Sequence, residues 1–191
     1  MFLLCSSNPS PYEESILNYD IVLGNSTIGY LKCIQRNYTA SGMMVYIIDS
    51  KVDVQVIKKI NVHYTLYSKY SGSKLYYSKL INVVNSDTQR FNQVTLGADR
   101  FYRFQEKDNL RITKDTMIDY SVACLYHKEP KTGQRLFTEN FLQSCAISGI
   151  NHTYSITFPD GNTNTYTYVN GICEEAKIQQ KWYTLYFKRK H

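Results

Sequence analysis

Cys124 and His127 stand three residues apart, a spacing that sets two side chains on one face of a helix, where a thiolate beside an imidazole makes a nucleophilic pair. No third residue to orient the imidazole is identifiable, and Cys124 adjoins an apolar stripe, so a packed thiol competes with the catalytic reading. Asp115, Asp119 and Glu129 are candidates for paired carboxylates in acid and base chemistry. Asp119 is equally explained as a helix N-cap and Glu129 by the loop before Pro130. His63, His127, His152 and His191 are dispersed, with no HExxH and no acidic cluster at metal spacing. GxGxxG, GxxxxGK[ST] and GxSxG are all absent from the sequence. No catalytic residue, metal site or cofactor is assigned, and a non-enzymatic role is expected.

The residues that remain are aromatic. The chain carries 18 tyrosines, and Tyr46, Tyr64, Tyr77, Tyr120 and Tyr126 fall at inward-type positions, where rings would line an apolar cavity and hydroxyls would orient a polar head. Ordinary core and rim packing explains the same residues one by one. Arg100-Phe101-Tyr102-Arg103-Phe104 interleaves cations with rings, as single-strand nucleic-acid binders do. The other basic residues are scattered apart from Lys188-Arg189-Lys190, so the formal charge of +6 describes a solvated surface, and no nucleic-acid partner is expected.

Such positions need a framework. At 191 residues the chain is long enough for one core, and 43% apolar with 20% charged residues lies near the globular average, which points to neither a disordered chain nor a membrane bundle. Tyr, Thr, Val and Ile suit the pleated surface of a sheet. Residues 1–11 read as a leader remnant or a disordered tail, and residues 12–191 as a single domain. That start, with small residues and Pro after a short apolar piece, predicts an exported protein, periplasmic or at the cell surface. Leu4 before Cys5 argues against lipidation. No apolar run reaches the roughly 20 residues of a membrane-spanning helix. Without Cys5, four cysteines remain, Cys33, Cys124, Cys145 and Cys173, at spacings that fit disulfides or free buried thiols.

Period-two alternation is clearest over Lys59 to Tyr70, where Ile60, Val62, Tyr64 and Leu66 alternate with Asn61, His63, Thr65 and Tyr67. Similar segments are predicted at Ile16 to Leu23, Thr27 to Tyr38, Met43 to Gln55, Lys74 to Val84, Gln89 to Leu96, Arg100 to Gln105 and Leu110 to Thr113. After a break come Gln134 to Thr138, Cys145 to Ile150, Thr153 to Phe158, Thr163 to Val169, Ile172 to Gln179 and Trp182 to Lys188. Gly24-Asn25-Ser26, Ser71-Gly72-Ser73, Asp160-Gly161 and Asn170-Gly171 supply turns. In the break, Ile118, Val122, Leu125 and Tyr126 form a helical stripe, so one short helix is predicted from Asp119 to His127, stopped by Pro130. The expected fold is all-β and mostly antiparallel, a strongly curved meander forming a half-barrel or barrel, with the helix on its concave side or plugging one end.

Ile118-Asp119-Tyr120-Ser121-Val122, Leu125-Tyr126, Glu129-Pro130, Pro159-Asp160-Gly161, Asn164-Thr165-Tyr166 and Val169-Asn170-Gly171 are joined by the opening Tyr19-Asp20-Ile21-Val22-Leu23-Gly24 and Ile28-Gly29. In order and spacing, from about residue 16 to residue 188, they resemble a family of exported bacterial β-rich proteins of unknown function. The resemblance implies curved half-barrels like those of lipoprotein carriers, or lipocalin-like barrels, and no established activity. The function expected is a non-catalytic carrier or sensor of a lipid or other apolar or amphipathic small molecule. The alternatives are a structural or interaction module that binds an envelope protein, and an enzyme with an unrecognised site.

Overall fold

The computed structural model describes residues 10–55, 59–114 and 117–191. The expected leader remnant and Asp115 therefore lie wholly or largely outside the described residues. Fourteen strands form the framework: β1 (Glu13–Leu23), β2 (Ser26–Tyr38), β3 (Met43–Gln55), β4 (Lys59–Ser71), β5 (Lys74–Val84), β6 (Asp87–Leu96), β7 (Tyr102–Glu106), β8 (Asn109–Thr113), β9 (Arg135–Thr138), β10 (Gln143–Ile150), β11 (Thr153–Thr157), β12 (Thr163–Val169), β13 (Ile172–Gln179) and β14 (Thr184–Arg189). They pair in one antiparallel sheet in the order β8-β7-β6-β5-β4-β3-β2-β1-β14-β13-β12-β11-β10-β9. Two meanders are thus joined where the first strand meets the last, with Tyr19 opposite Arg189 and Leu23 opposite Leu185. The all-β, antiparallel expectation holds. β8 and β9 do not pair, so the barrel remains open along one seam.

Curvature has local causes. Register shifts interrupt β1–β2, β4–β5, β5–β6 and β12–β13, and each such bulge bends its strand and adds twist. Between β12 and β13, Asn170 and Gly171 both take positive φ, 52° and 79°, the two-residue hairpin geometry that an Asn-Gly pair adopts most readily.

The predicted helix is corrected. Between Asp119 and His127 the only helical element is one 3-10 turn, Val122–Cys124. Asp119 does not cap it. Ser121 holds the N-cap position in extended backbone, without a capping side-chain bond. The physical reason is that the sheet takes the backbone groups an α-helix would have used internally. Leu75 N–H donates to Ile118 O at 2.8 Å, Phe137 N–H to Tyr120 O at 2.9 Å, and Cys173 N–H to Tyr126 O at 3.1 Å. Residues 118–129 therefore form a strap across the concave face, tied to both meanders. Ile118, Tyr120, Leu125 and Tyr126 are buried on it, Leu125 completely.

Side chains pin the strap as well. Tyr168 OH donates to Leu125 O at 2.9 Å and Tyr70 OH to Ser121 Oγ at 2.8 Å, while Tyr19 OH, donating to Cys173 O at 2.6 Å, ties β1 to β13 beneath it. Tyr168→Phe leaves the Leu125 carbonyl without this donor in a buried setting. We expect a loss of about 1–3 kcal/mol, read as a lower urea midpoint with unchanged slope. An unchanged midpoint would mean that this bond does not hold the strap.

Candidate functional site

The concave face is filled by the chain itself. Tyr46, buried on β3, packs edge-on against Tyr70 at 5.7 Å and beside His127 at 6.2 Å. Tyr126 sits between Tyr19, at 5.2 Å, and Tyr166, at 6.4 Å. Tyr64 is half-buried against the same core. Tyr77 is not inside. The β4–β5 register passes from Lys69 opposite Tyr77 to Tyr70 opposite Leu75, so Tyr76 is an extra residue and the parity of the strand changes. Tyr77 consequently packs against Tyr67 on the outer face, its hydroxyl 3.4 Å from Gln93 Oε1. Of the five tyrosines, Tyr46, Tyr64 and Tyr126 belong to the interior, Tyr77 to the outside, and Tyr120, itself buried, is the one that lines the groove described next.

That space lies along the seam. A groove of about 910 Å³ runs between β7–β8 and β9–β10, floored by the start of the strap. Its apolar wall is a ladder of rings: Tyr102 stacks on Phe104 at 6.0 Å, and Phe104 on Phe137 at 5.6 Å. Arg111 lies over Phe104, its guanidinium carbon 4.7 Å from the ring centroid, a cation–π contact, and Tyr102, Phe104 and Phe137 are themselves buried, so that the groove meets them along their edges. Period two explains the ladder. Tyr102 and Phe104 alternate with Arg103 and point inward, while Arg103 pairs outside with Asp99 at 2.7 Å. Phe137 arrives from the opposite edge, 33 residues further along the chain than Phe104.

Arg111 also crosses the seam, donating through Nη2 to Leu142 O at 2.6 Å. Arg135 donates through Nη2 to Ser144 O at 3.2 Å. Gln134, Gln143, Ser144 and Asp119 complete the polar rim. A second, smaller groove of about 430 Å³ opens among Ile28, Val52, Val62 and Val83. It has no comparable ring ladder. It is closed on one side by the approach of β2 to β3 at Gly29, where a Cβ would stand 2.0 Å from Lys51 O.

Behind the groove, the turn between β9 and β10 carries a carboxylate into the core. Glu139 is 1% exposed. Its Oε1 accepts from Ser121 Oγ at 2.5 Å and Ser68 Oγ at 3.3 Å, and its backbone carbonyl accepts from Asn92 Nδ2 at 2.8 Å. Glu139 Oε2 has no hydrogen-bond partner among the described residues. Burial pushes this carboxyl up to about 7, against the opposing pull of Ser121 and Ser68. His127, whose ring nitrogens have no partner at full hydrogen-bond geometry among the described residues, is pushed down to about 4 by burial, against an opposing pull from the Cys33 backbone and with a smaller push from the charge of Arg189.

The other candidates do not converge. Cys124 is buried and its thiol is pushed up to about 11 by burial, so the thiolate that the nucleophilic pair needs is scarce at neutral pH. Asp119 is exposed on the groove rim, whereas Glu129 accepts from Tyr154 OH and His152 Nδ1, each at 2.9 Å. His63 pairs with Asp49 and His191 with Glu174. Among the described residues no three His, Cys, Asp or Glu side chains cluster at metal-binding distance, and Cys33, Cys124, Cys145 and Cys173 are free and buried. No helix of the described residues is long and apolar enough to cross a membrane.

Sequence reasoning missed Arg111, Phe137 and Glu139. Arg111 left a faint signal, a cation between Leu110 and Ile112 in a short strand. Glu139 left none, because a Glu in a tight turn between strands ordinarily faces water.

No curated protein matches the chain. A solved structure, described as the beta-barrel-like protein of domain of unknown function DUF1849 from Brucella abortus, superposes with a TM-score of 0.57 at 11% identity, covering 92% of this chain and 95% of that one. At that identity the likeness speaks to the fold alone. The family model for the domain of unknown function DUF6134 matches residues 19–190, nearly the whole of the double meander and its strap, and the chain belongs to that family.

Proposed function

We propose that this protein is a non-catalytic carrier or sensor of an amphipathic small molecule, working outside the cytoplasm, in the periplasm or at the cell surface. The observation that carries the reading is the ladder Tyr102–Phe104–Phe137 along an open groove of about 910 Å³. That volume lies within the range of pockets that hold small ligands, and stacked rings beside a few polar groups are the usual lining. The ligand site is thus moved from the concave face, which the strap occupies, to the seam.

Phenylnaphthylamine, a neutral apolar probe, tests the reading by its fluorescence gain on leaving water. Phe104→Ala removes the middle ring, and we expect roughly tenfold weaker binding, the equivalent of about 1.4 kcal/mol for one aromatic contact. Equal binding by the native protein and the variant, with both folded by circular dichroism, would remove the groove as the site.

A second reading, an interaction module of the envelope, draws on β8. This edge strand has an unpaired side and exposes Leu110 and Ile112, at 62% and 53%, a template for an added strand. Pull-down from an envelope fraction, with Ile112→Lys as the control, separates the two.

A further inference from the structure

We infer that the amphiphile held in the seam groove carries an anionic head, a carboxylate, sulfonate or phosphate monoester, bound at Arg111 and Arg135 while its apolar body lies along Phe104 and Phe137. This inference rests on the reading of the groove as a ligand site and adds its chemical class.

Both arginines have donors to spare. A guanidinium offers five N–H donors in a planar fork. Among the described residues Arg111 commits one of them to Leu142 O and Arg135 one to Ser144 O. Neither forms an ion pair with a carboxylate among the described residues, although Arg36, Arg103 and Arg189 each do. Two cations therefore line one groove, with the exposed Asp119 as the acidic side chain of the described lining.

Position matters as much as charge. Arg111 stands over Phe104, the middle ring of the ladder, and its tie to Leu142 O holds it there. A body lying in the groove along the edges of Phe104 and Phe137 would bring its head to that guanidinium. Arginine suits such a role because its fork matches the oxygens of an anionic head and its orientation costs little entropy when already fixed. A neutral apolar ligand would leave these donors to water and gain nothing from them.

Two probes with the same ring body separate the class from the site. Anilinonaphthalene sulfonate carries an anion, and phenylnaphthylamine does not. The full chain should bind the sulfonate roughly tenfold more tightly, the gain that one charge-assisted hydrogen bond supplies. Raising ionic strength from about 0.05 M to about 0.5 M should erode that advantage while leaving the neutral probe unchanged. Arg135→Gln, at an exposed position with little bearing on folding, should weaken the sulfonate by roughly fivefold to tenfold, and Arg111→Gln at least as much. Both should leave the neutral probe within about twofold. Equal affinity for the two probes overturns the anionic class and leaves the carrier reading intact. Failure of both probes to bind overturns the carrier reading and the class together. Sulfonate binding that ignores both arginine substitutions but falls with Ile112→Lys would place the anion on the outer face of β8 and overturn the inference.

Discussion

Above about pH 10 the fold should be lost in a single cooperative step, complete within about one pH unit. Eight tyrosines, Tyr19, Tyr46, Tyr64, Tyr70, Tyr120, Tyr126, Tyr166 and Tyr168, have hydroxyls pushed above their ordinary 10.0, in each case chiefly by burial. Because each folded value is raised, the stability it represents is present below the ordinary value and is lost as pH climbs past it, where only the unfolded chain ionises. One such group removes about 1.4 kcal/mol per pH unit, so eight remove about 11 kcal/mol, against the roughly 5–15 kcal/mol that holds a typical domain together. Cys33 and Cys173, also raised by burial, begin the decline earlier. The check is a titration that follows tyrosinate absorbance and circular dichroism together. Coincident steps are expected. Gradual ionisation of most tyrosines with the β signal intact would contradict the packed, water-free interior.

Glu139 and His127 should each produce a pH slope that the other hides. Glu139, raised from 4.5 to about 7, contributes stability that is present below 4.5 and lost as pH rises through about 7. His127, lowered from 6.5 to about 4, contributes stability present above 6.5 and lost as pH falls through about 4. The slopes oppose each other between these limits, so the native protein should show a nearly flat profile from about pH 4.5 to about pH 6.5. Glu139→Gln keeps the shape of the side chain and removes the charge. Its stability should rise by about 3 kcal/mol as pH increases from about 4 to about 6.5, and at about pH 8 it should exceed the native protein by a similar amount. His127→Phe should show the reverse slope, falling by about 3 kcal/mol from about pH 4.5 to about pH 7. Urea unfolding at three pH values distinguishes these outcomes. Parallel profiles for all three proteins would mean that neither group is buried in the way described.

Local alternation revealed the strands because a period of two is written in neighbouring residues. Met43–Gln55, Lys74–Val84, Thr163–Val169 and Ile172–Gln179 have the expected bounds, and the Asn170-Gly171 turn formed where its φ preferences placed it. The failures share a different cause. The helical stripe at Asp119 to His127 was a true apolar pattern, but Leu75, Phe137 and Cys173 supply its backbone partners from distant strands, and no local rule reports them. Tyr77 was assigned to the wrong face by one bulge at Lys69/Tyr70, which reverses parity without a distinctive residue. Phe104, Arg111 and Phe137 become neighbours only because the sheet curls until its two edges nearly meet. Glu139 looked like a surface turn residue until Ser68, Ser121 and Asn92 closed around it.

The central claim is that the interior is filled by the strap and that ligand space lies at the seam. Chemical-shift mapping of the labelled full chain with phenylnaphthylamine tests it most directly. Perturbations should centre on Tyr102, Phe104, Arg111 and Phe137, with Tyr46, Tyr126 and Tyr166 unmoved. Perturbations centred on those three interior tyrosines would return the ligand to the concave face, contradicting the claim.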